Sequence, residues 1–232
     1  MDKKFKYIGF DADDTLWVNE TYFRETEHVF AILLRDFCDE EGVIKELYKT
    51  ELKNLKNYGY GIKGFILSLI ETADTLSDGK VPVETIMRIV ELGKELLNKP
   101  VVLIDGIEQV LISLTEKGYK LIVATKGDLL DQERKLRRSN LEKHFHHIEV
   151  MSDKKEANYK KLLAHLDIAP EEFLMVGNSL KSDVIPVLNL GGSAVHVPFH
   201  TTWEHEHAEH DTEIHQFVEL ETVGELMDAL KL

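Results

Sequence analysis

Cysteine is almost absent from this sequence, which has a single one, Cys38, among 232 residues. A lone cysteine cannot form an intramolecular disulfide, so disulfide-rich secreted scaffolds are excluded. Basic residues are also scarce: 28 Lys and Arg stand against 42 Asp and Glu, and the formal net charge is −14. Nucleic acid and anionic membrane surfaces repel such a chain, so we expect neither as a partner.

Long apolar runs are absent as well. No uninterrupted run reaches the roughly 18 residues that a membrane helix requires. The N-terminal residues 1–5 lead directly into a short strand-like segment and lack the apolar region of a signal peptide, so we expect a cytoplasmic protein. Because 43% of the residues are hydrophobic, the chain can bury a sizeable core, which argues against intrinsic disorder.

Short apolar segments that alternate with helical ones indicate the fold class. Strands are predicted at residues 7–10, 119–125, 148–151, 173–177 and 193–197. Such alternation is typical of right-handed crossovers and of a mostly parallel sheet with helices on both faces, a doubly wound, Rossmann-like α/β core. Proteins of this class bind their ligands at the carboxyl ends of the strands.

The stretch after the first predicted strand has a different character. Apolar residues recur there at helical spacings over about eighty residues, and glycine-containing turns divide the stretch into four segments. The pattern predicts an all-helical cap domain at residues 18–99, inserted into an α/β catalytic core formed by residues 1–17 and 100–232. Since the insertion follows the first strand, we expect it to lie over the carboxyl edge of the sheet as a lid.

Polar side chains follow four of the predicted strands. In chain order they are Asp11, Asp13, Asp14, Thr125, Lys154, Lys155, Asn178 and Asp183. Parallel strands bring their carboxyl ends to one edge of a sheet, so we expect these groups to lie close together. Magnesium takes about six oxygen ligands and keeps several waters. Asp11 and Asp13, with Asn178 or Asp183, can supply the protein's share of those oxygens.

The same set of groups suits phosphoryl transfer, which requires positioning and charge compensation above all. One carboxylate can attack phosphorus, and a neighbouring acid can protonate the leaving alkoxide and later activate water. The Thr125 hydroxyl can donate to a phosphoryl oxygen, and Lys154 or Lys155 can add a compact positive charge.

The segment Asp11-Ala12-Asp13-Asp14-Thr15 resembles the D-x-D-x-T signature of the haloacid dehalogenase superfamily of hydrolases. The resemblance continues in the same order at Thr125, at Lys154 or Lys155, and at 177–183. It covers nearly the whole chain, and the helical insertion stands where one major group of the family carries its cap. Four ordered elements are a much more specific signal than the acidic segment alone.

The resemblance implies a role for each residue. Asp11 would be the nucleophile and a metal ligand, and Asp13 would be the general acid and base. Thr125 would bind the phosphoryl group, and Lys154 would stabilise the charged intermediate. Lys154 is preferred to Lys155 because of its distance along the chain from Tyr159, as judged from similar proteins.

The implied magnesium site has two alternatives for one of its ligands. Asp11 and the backbone carbonyl of Asp13 would contact the metal, and Asp183 would complete the site directly or through water. Asn178 is the second candidate, because a neutral amide is a weaker magnesium ligand than a carboxylate. Many family members have Gly-Asp at the equivalent of 177–178, and glycine where this chain has Asp14, so the turn after Asp13 is expected to differ.

Asp13 also favours one activity within the family. A departing halide needs no proton, whereas an alkoxide does, so an acid two positions after the nucleophile points to phosphate esters. The prediction is a magnesium-dependent phosphatase that hydrolyses a small phosphorylated metabolite through an aspartyl phosphate. The alternatives are a phosphomutase, a dehalogenase or phosphonatase of the same family, and a non-enzymatic receiver-like signalling domain. The sequence indicates neither the metabolite nor the oligomeric state.

Three further features are given structural interpretations. Lys135, Arg137 and Arg138 lie on a polar helix and predict a solvated face. The His- and Glu-rich stretch 200–210 suggests a zinc site, but no apolar frame fixes its side chains, so a solvated loop beside the site is favoured. Trp17 could pack in the core of the cap or form part of the hinge or the substrate pocket, and the sequence leaves that open.

Overall fold

Apolar strands that alternate with helices build the larger of the two units into which the chain divides, Met1–Glu20 together with Val101–Leu232. The second unit is Thr21–Pro100. The computed structural model describes residues 5–206 and 217–231. The strands among them are β1 Tyr7–Phe10, β2 Lys120–Lys126, β3 Phe145–Met151, β4 Phe173–Gly177, β5 Ser193–His196 and β6 Phe217–Glu219. The helices are α1 Glu20–Leu33, α2 Glu40–Tyr58, α3 Ile62–Leu76, α4 Val83–Leu97, α5 Ile107–Glu116, α6 Leu129–Ser139, α7 Glu156–Leu166, α8 Ile185–Asn189 and α9 Leu226–Ala229.

The strands form one parallel sheet in the order β3-β2-β1-β4-β5-β6. The chain moves outward from β1 to β3, returns to the other side of β1, and continues outward to β6. This is the strand order of doubly wound folds, so the predicted Rossmann-like α/β class is confirmed. The order reverses between β1 and β4, and ligands of such folds bind at the carboxyl ends of the strands beside that point.

Successive residues of a strand face opposite sides of the sheet, and both sides are buried. On one side, Leu121 and Val123 of β2 pack with Leu111 of α5. On the other, Ile122 packs with Leu162 of α7. Burial on both faces explains why the central strands are almost continuously apolar and easy to recognise in the sequence.

The unit Thr21–Pro100 contains most of α1 and all of α2, α3 and α4, and its described residues include no strand. It has an apolar core of its own, in which Phe30, Leu47 and Leu69 are buried. Asp39 caps α2 by accepting a hydrogen bond from the Gly42 amide at 2.9 Å, which satisfies one free donor of the first turn. Along the parts of the chain described, no helix combines the length and apolar character needed to cross a membrane.

The sheet extends beyond its predicted limits at both edges. β3 begins at Phe145 rather than at residue 148, and its first three residues include His146 and His147. β6 has only three residues and was not predicted. Both are edge strands with one neighbour each, and an edge strand need not be apolar on both faces. Hydrophobic periodicity is therefore a weak signal for them.

Candidate active site

Asp11 lies directly after β1 at the carboxyl edge of the sheet. Its backbone amide donates to the Val176 carbonyl at 2.9 Å, which fixes the chain against β4. One carboxylate oxygen, Oδ1, forms an ion pair with Lys154 Nζ. The same ammonium donates to Asp183 Oδ1 at 2.6 Å. Three predicted site residues from different parts of the chain thus meet in a buried cluster.

Burial dominates the electrostatics of this cluster. It raises the pKa of Asp11 to about 7, against the opposing charge of Lys154 and with a further upward contribution from Asp183. Burial alone would lower the pKa of Lys154, but Asp11 and Asp183 raise it above its usual value. Lys154 is therefore charged and balances only one of the two carboxylates. A second cation at this point would balance the other.

The end of β4 is shaped to bring Asp183 back towards the sheet. A wide turn, Leu180–Val184, precedes α8, and Asp183 Oδ2 accepts from the Ser179 amide at 3.0 Å. A side chain at position 177 would overlap the Asp183 carboxylate. Gly177 is therefore required for this close approach rather than for a special backbone angle.

Asn178 lies against the residues that follow β1. One end of its side-chain amide lies 3.2 Å from each of two acceptors, Asp11 Oδ2 and the Asp13 carbonyl oxygen. The amide donates to both when its nitrogen is at that end, and it offers an oxygen to a cation when its oxygen is there. Thr15 Oγ1 is 3.3 Å from the same amide group. The Asp11 carboxylate and the Asp13 carbonyl therefore converge on one point. Such convergence of oxygens is what a small hard cation requires.

The oxygen atoms at this point suit a magnesium ion. Asp11, the Asp13 carbonyl, Asp183 and Asn178 all offer oxygen, and the two carboxyl groups, Asp11 and Asp183, are buried. No group of three or more His, Cys, Asp or Glu side chains with metal-holding geometry occurs in residues 5–206 and 217–231. Magnesium does not need one, because it is usually held through one or two carboxylates and keeps several waters.

Asp14 differs from the glycine expected at its position, and its backbone explains the difference. Its φ is 61°, in the left-handed region that favours glycine but that Asp and Asn also tolerate. The Asp14 carboxylate accepts from the Asn19 amide at 2.8 Å and from the Glu20 amide at 3.0 Å. The turn therefore keeps a backbone conformation that glycine favours, so the expected change in the turn is not seen, and the added side chain caps the start of α1.

The Asp13 carboxylate is surrounded by donors. Oδ1 accepts from Trp17 Nε1 at 2.8 Å and from Lys135 Nζ at 2.6 Å. Oδ2 accepts from Gln132 Nε2 at 2.7 Å. Lys135 and Gln132 come from α6, and Trp17 lies in the apolar core of the larger unit. The structure thus places Trp17 in the core of the larger unit rather than in that of the helical unit, and against a predicted catalytic residue.

The prediction that Lys135 belongs to a solvated face is wrong. Its side chain is 15% exposed and also pairs with Asp131 Oδ2 at 3.4 Å. Arg137 and Arg138 on the same helix are exposed, as expected. The sequence did contain a signal, because Asp131, Gln132 and Lys135 recur at helical spacing. Polarity alone, however, does not show whether such a face meets water or another polar group.

Thr125 and the two lysines also have defined positions. Thr125 is buried at the end of β2, beside β1, and its hydroxyl donates to the Lys126 carbonyl at 3.4 Å. Lys155 is 73% exposed and pairs with Asp153 at 2.7 Å, whereas the Lys154 side chain is 1% exposed. Of the two lysines left open by the sequence, Lys154 is the one that lies with Asp11.

Part of the His- and Glu-rich stretch forms a second polar cluster at this edge of the sheet. Glu206 Oε1 accepts from Lys126 Nζ at 2.5 Å, and Oε2 accepts from Ser179 Oγ at 2.6 Å and Ser182 Oγ at 2.5 Å. Burial would raise the pKa of Glu206, but Lys126 and the two hydroxyls lower it from its ordinary value of 4.5 to about 2. Zinc was considered for the whole stretch 200–210, and its last part, residues 207–210, lies outside the described residues.

We expect the Glu206→Gln variant to be less stable than the wild type by about 3 kcal/mol at neutral pH. A carboxylate whose pKa is depressed on folding stabilises above its unfolded pKa. Its contribution therefore persists down to about pH 4.5 and declines as the pH falls towards 2. Urea unfolding of both proteins at several pH values measures the difference. Glu204→Gln is the control, because Glu204 is exposed, and a difference independent of pH between 6 and about 3 would contradict the assignment.

Comparisons with known proteins agree with this arrangement. The sequence model of haloacid dehalogenase-like hydrolases matches residues 5–191. A crystal structure of a haloacid dehalogenase-like family hydrolase from Xanthomonas campestris has a TM-score of 0.88 and 35% identity, and covers 99% of this chain and 92% of that chain. A glyceraldehyde 3-phosphate phosphatase of Pyrococcus abyssi is 27% identical over 198 residues, 82% of this chain and 80% of that protein.

A more distant structure shares the fold. It is a haloacid dehalogenase (HAD) hydrolase from Bacillus subtilis, solved with magnesium bound, and it has a TM-score of 0.68 and 17% identity. The match covers 99% of this chain and 100% of that chain. The family match spans well over half of the sequence and includes the acidic segment after β1, Thr125, Lys154 and the residues after β4. The resemblance in the sequence is thereby confirmed, and the chain belongs to the haloacid dehalogenase-like hydrolases.

Proposed function

We propose that this chain is a magnesium-dependent phosphatase of small phosphorylated metabolites and that Asp11 carries the phosphoryl group as an aspartyl phosphate. The observation that carries the proposal is the buried contact of Asp11 with Lys154 and, through it, with Asp183. The cluster stands where the strand order reverses, at the ligand-binding edge of the fold. The name of the Pyrococcus abyssi relative supports a phosphate ester as the substrate.

In the proposed reaction, a carboxylate oxygen of Asp11 attacks phosphorus and the bond from phosphorus to the ester oxygen breaks. Asp13 begins the cycle in its protonated form, gives that proton to the leaving alkoxide, and the product departs as an alcohol. Asp13 then accepts a proton from water as that water attacks the phosphorus held on Asp11, and the bond between phosphorus and the Asp11 oxygen breaks. Inorganic phosphate leaves, and both aspartates return to their starting states.

The remaining groups stabilise charge. Lys154 holds Asp11 in place and compensates negative charge on the phosphorylated intermediate. The Thr125 hydroxyl, at the end of the neighbouring strand, binds a phosphoryl oxygen. Asp11 and the Asp13 carbonyl, with Asp183 directly or through water, would hold magnesium, and Asn178 is the second candidate for that third position. Bound there, magnesium would neutralise charge on the phosphoryl oxygens.

The experiment is phosphate release from a panel of phosphate monoesters that includes glyceraldehyde 3-phosphate, with and without Mg²⁺. We expect turnover to fall to background in EDTA and to return when excess Mg²⁺ is added, because the phosphoryl dianion otherwise meets an acidic site. Undiminished turnover in EDTA would refute the magnesium requirement. Halide release from 2-haloacids without phosphate release would favour a dehalogenase. A phosphoaspartate that lasts for hours without ester turnover would favour a signalling domain.

A further inference from the structure

We propose that Lys135, together with Gln132, is a positioning residue that holds the Asp13 carboxylate in the orientation needed for proton transfer. This inference rests on the proposed function, in which Asp13 exchanges protons with the leaving group and with water. The juxtaposition that carries it is a carboxylate from the loop after β1 whose two oxygens each meet a different donor from one face of α6.

Helical spacing places both donors on that face. Gln132 and Lys135 are three residues apart, so their side chains are neighbours on one face of α6. Gln132 Nε2 donates a hydrogen bond to Asp13 Oδ2 at 2.7 Å, and Lys135 Nζ donates one to Asp13 Oδ1 at 2.6 Å. A carboxylate held at both oxygens cannot rotate about its terminal bond without breaking one of the hydrogen bonds. Trp17 Nε1 adds a third donor at Oδ1.

Lys135 is itself fixed from three sides. Besides Asp13, its ammonium contacts Asp131 Oδ2 at 3.4 Å and donates to Asn19 Oδ1 at 3.1 Å. Burial alone would lower the pKa of Lys135, but Asp13 and Asp131 raise it above its usual value. An exposed ion pair between two long side chains does not fix their relative positions well. The Lys135 side chain, by contrast, is 15% exposed and its ammonium has three acceptors. The Lys135 position is therefore set by the fold and not by solvent.

Gln132 links the same carboxylate to the phosphate-binding side of the site. Its Nε2 also donates to the Lys126 carbonyl at 3.2 Å, one residue after Thr125. Gly127, with φ of 128°, makes the turn between β2 and α6, and a Cβ there would lie 3.2 Å from Gln132 Nε2. The buried Gln132 amide thus fixes the position of the Asp13 carboxylate relative to the loop after Thr125.

Loss of this support should act on proton transfer more than on binding. Misplacement of a catalytic group by about 1 Å can cost roughly 10²-fold in rate. For Lys135→Met we expect kcat/KM on an alkyl phosphate to fall roughly 10- to 100-fold, less than the roughly 10²- to 10⁴-fold expected for Asp13→Asn. Lys135→Arg should recover much of the loss, because it restores a cation at Oδ1.

The decisive measurement compares two leaving groups. 4-Nitrophenolate departs without a proton, and kcat/KM reports the steps up to departure of the leaving group. Lys135→Met should therefore keep kcat/KM for 4-nitrophenyl phosphate within about threefold of wild type while losing activity on the alkyl ester. Arg138→Met is the matched control, since Arg138 is an exposed cation of the same helix, and both of its values should stay unchanged.

Two comparisons can overturn the inference. Lys135→Met added to Asp13→Asn should cause no further loss, because a positioning residue has nothing left to position. Equal losses on both esters, or full additivity in the double variant, would refute the role. If Lys135→Met does not fold, Gln132→Met removes the other donor with Lys135 in place and must show the same split between the esters. Failure of the proposed function differs, since the wild type would then lack magnesium-dependent ester hydrolysis.

Discussion

Asp11→Asn is expected to lower phosphate ester turnover by roughly 10⁴-fold or more. The amide has nearly the same shape as the carboxylate but is a far weaker nucleophile, so the aspartyl phosphate would no longer form. The measurement is steady-state phosphate release at saturating Mg²⁺, together with a search for a covalent phosphate by mass spectrometry under acid quench. The wild type should show the adduct on Asp11, and the variant should show none.

The control for this variant is Asp153→Asn. Asp153 is another carboxylate that follows a strand of the same sheet, but its ion pair is with the exposed Lys155. It also accepts a hydrogen bond from the Lys154 backbone amide at 2.9 Å, and an asparagine oxygen can accept the same bond. Its turnover should remain close to that of the wild type. Persistent turnover by Asp11→Asn, or an adduct on a different residue, would remove Asp11 from the nucleophilic role.

Lys154→Met should have the second largest effect, and it should affect stability as well as rate. Without the ammonium, the carboxylates of Asp11 and Asp183 lie buried beside each other with no cation between them. Breaking a buried ion pair from one side costs about 3–5 kcal/mol. Turnover should fall by about 10³-fold, because the charged intermediate loses its fixed counter-charge. Urea unfolding and phosphate release measure the two effects separately.

Lys155→Met is the matched control, because Lys155 is the next residue and its side chain is exposed. It should unfold and turn over like the wild type. Mg²⁺ should restore part of the stability lost in Lys154→Met, since a divalent cation can balance the same carboxylates, and this readout is independent of activity. Equal behaviour of the two variants would contradict the assignment of Lys154, and a Lys154→Met protein insensitive to Mg²⁺ would contradict the metal site.

The sequence was most informative at the strand ends, where the pattern of apolar residues can be combined with the general rule for where parallel strands end. A strand buried on both faces is an apolar run that ends abruptly in polar residues, so Asp11 and the residues after β4 could be recognised without coordinates. Parallel strands share one carboxyl edge, so their convergence followed from the fold class. The lid position expected for the helical segment and the roles of the site residues stay predictions.

Neighbouring residues with similar chemistry could not be separated in this way. Lys154 and Lys155 have the same side chain, and only the path of the loop after β3 determines that one is buried against Asp11 and the other is exposed. Asp183 and Asn178 differ in charge, yet both approach the end of β1 because the chain turns back after Gly177. Such distinctions depend on side-chain direction, which adjacent positions in a sequence do not specify.

What the sequence determined by itself was therefore the parallel α/β architecture, the family and the strand ends that carry polar groups, because each follows from patterns over a few consecutive residues. What only the tertiary structure decided was the surroundings of those groups. Lys135 and Gln132 form a polar helical face that is indistinguishable from a solvated one until α6 packs and brings that face against Asp13. Contacts between residues more than a hundred positions apart depend on how whole elements pack, and no local pattern of polarity encodes that.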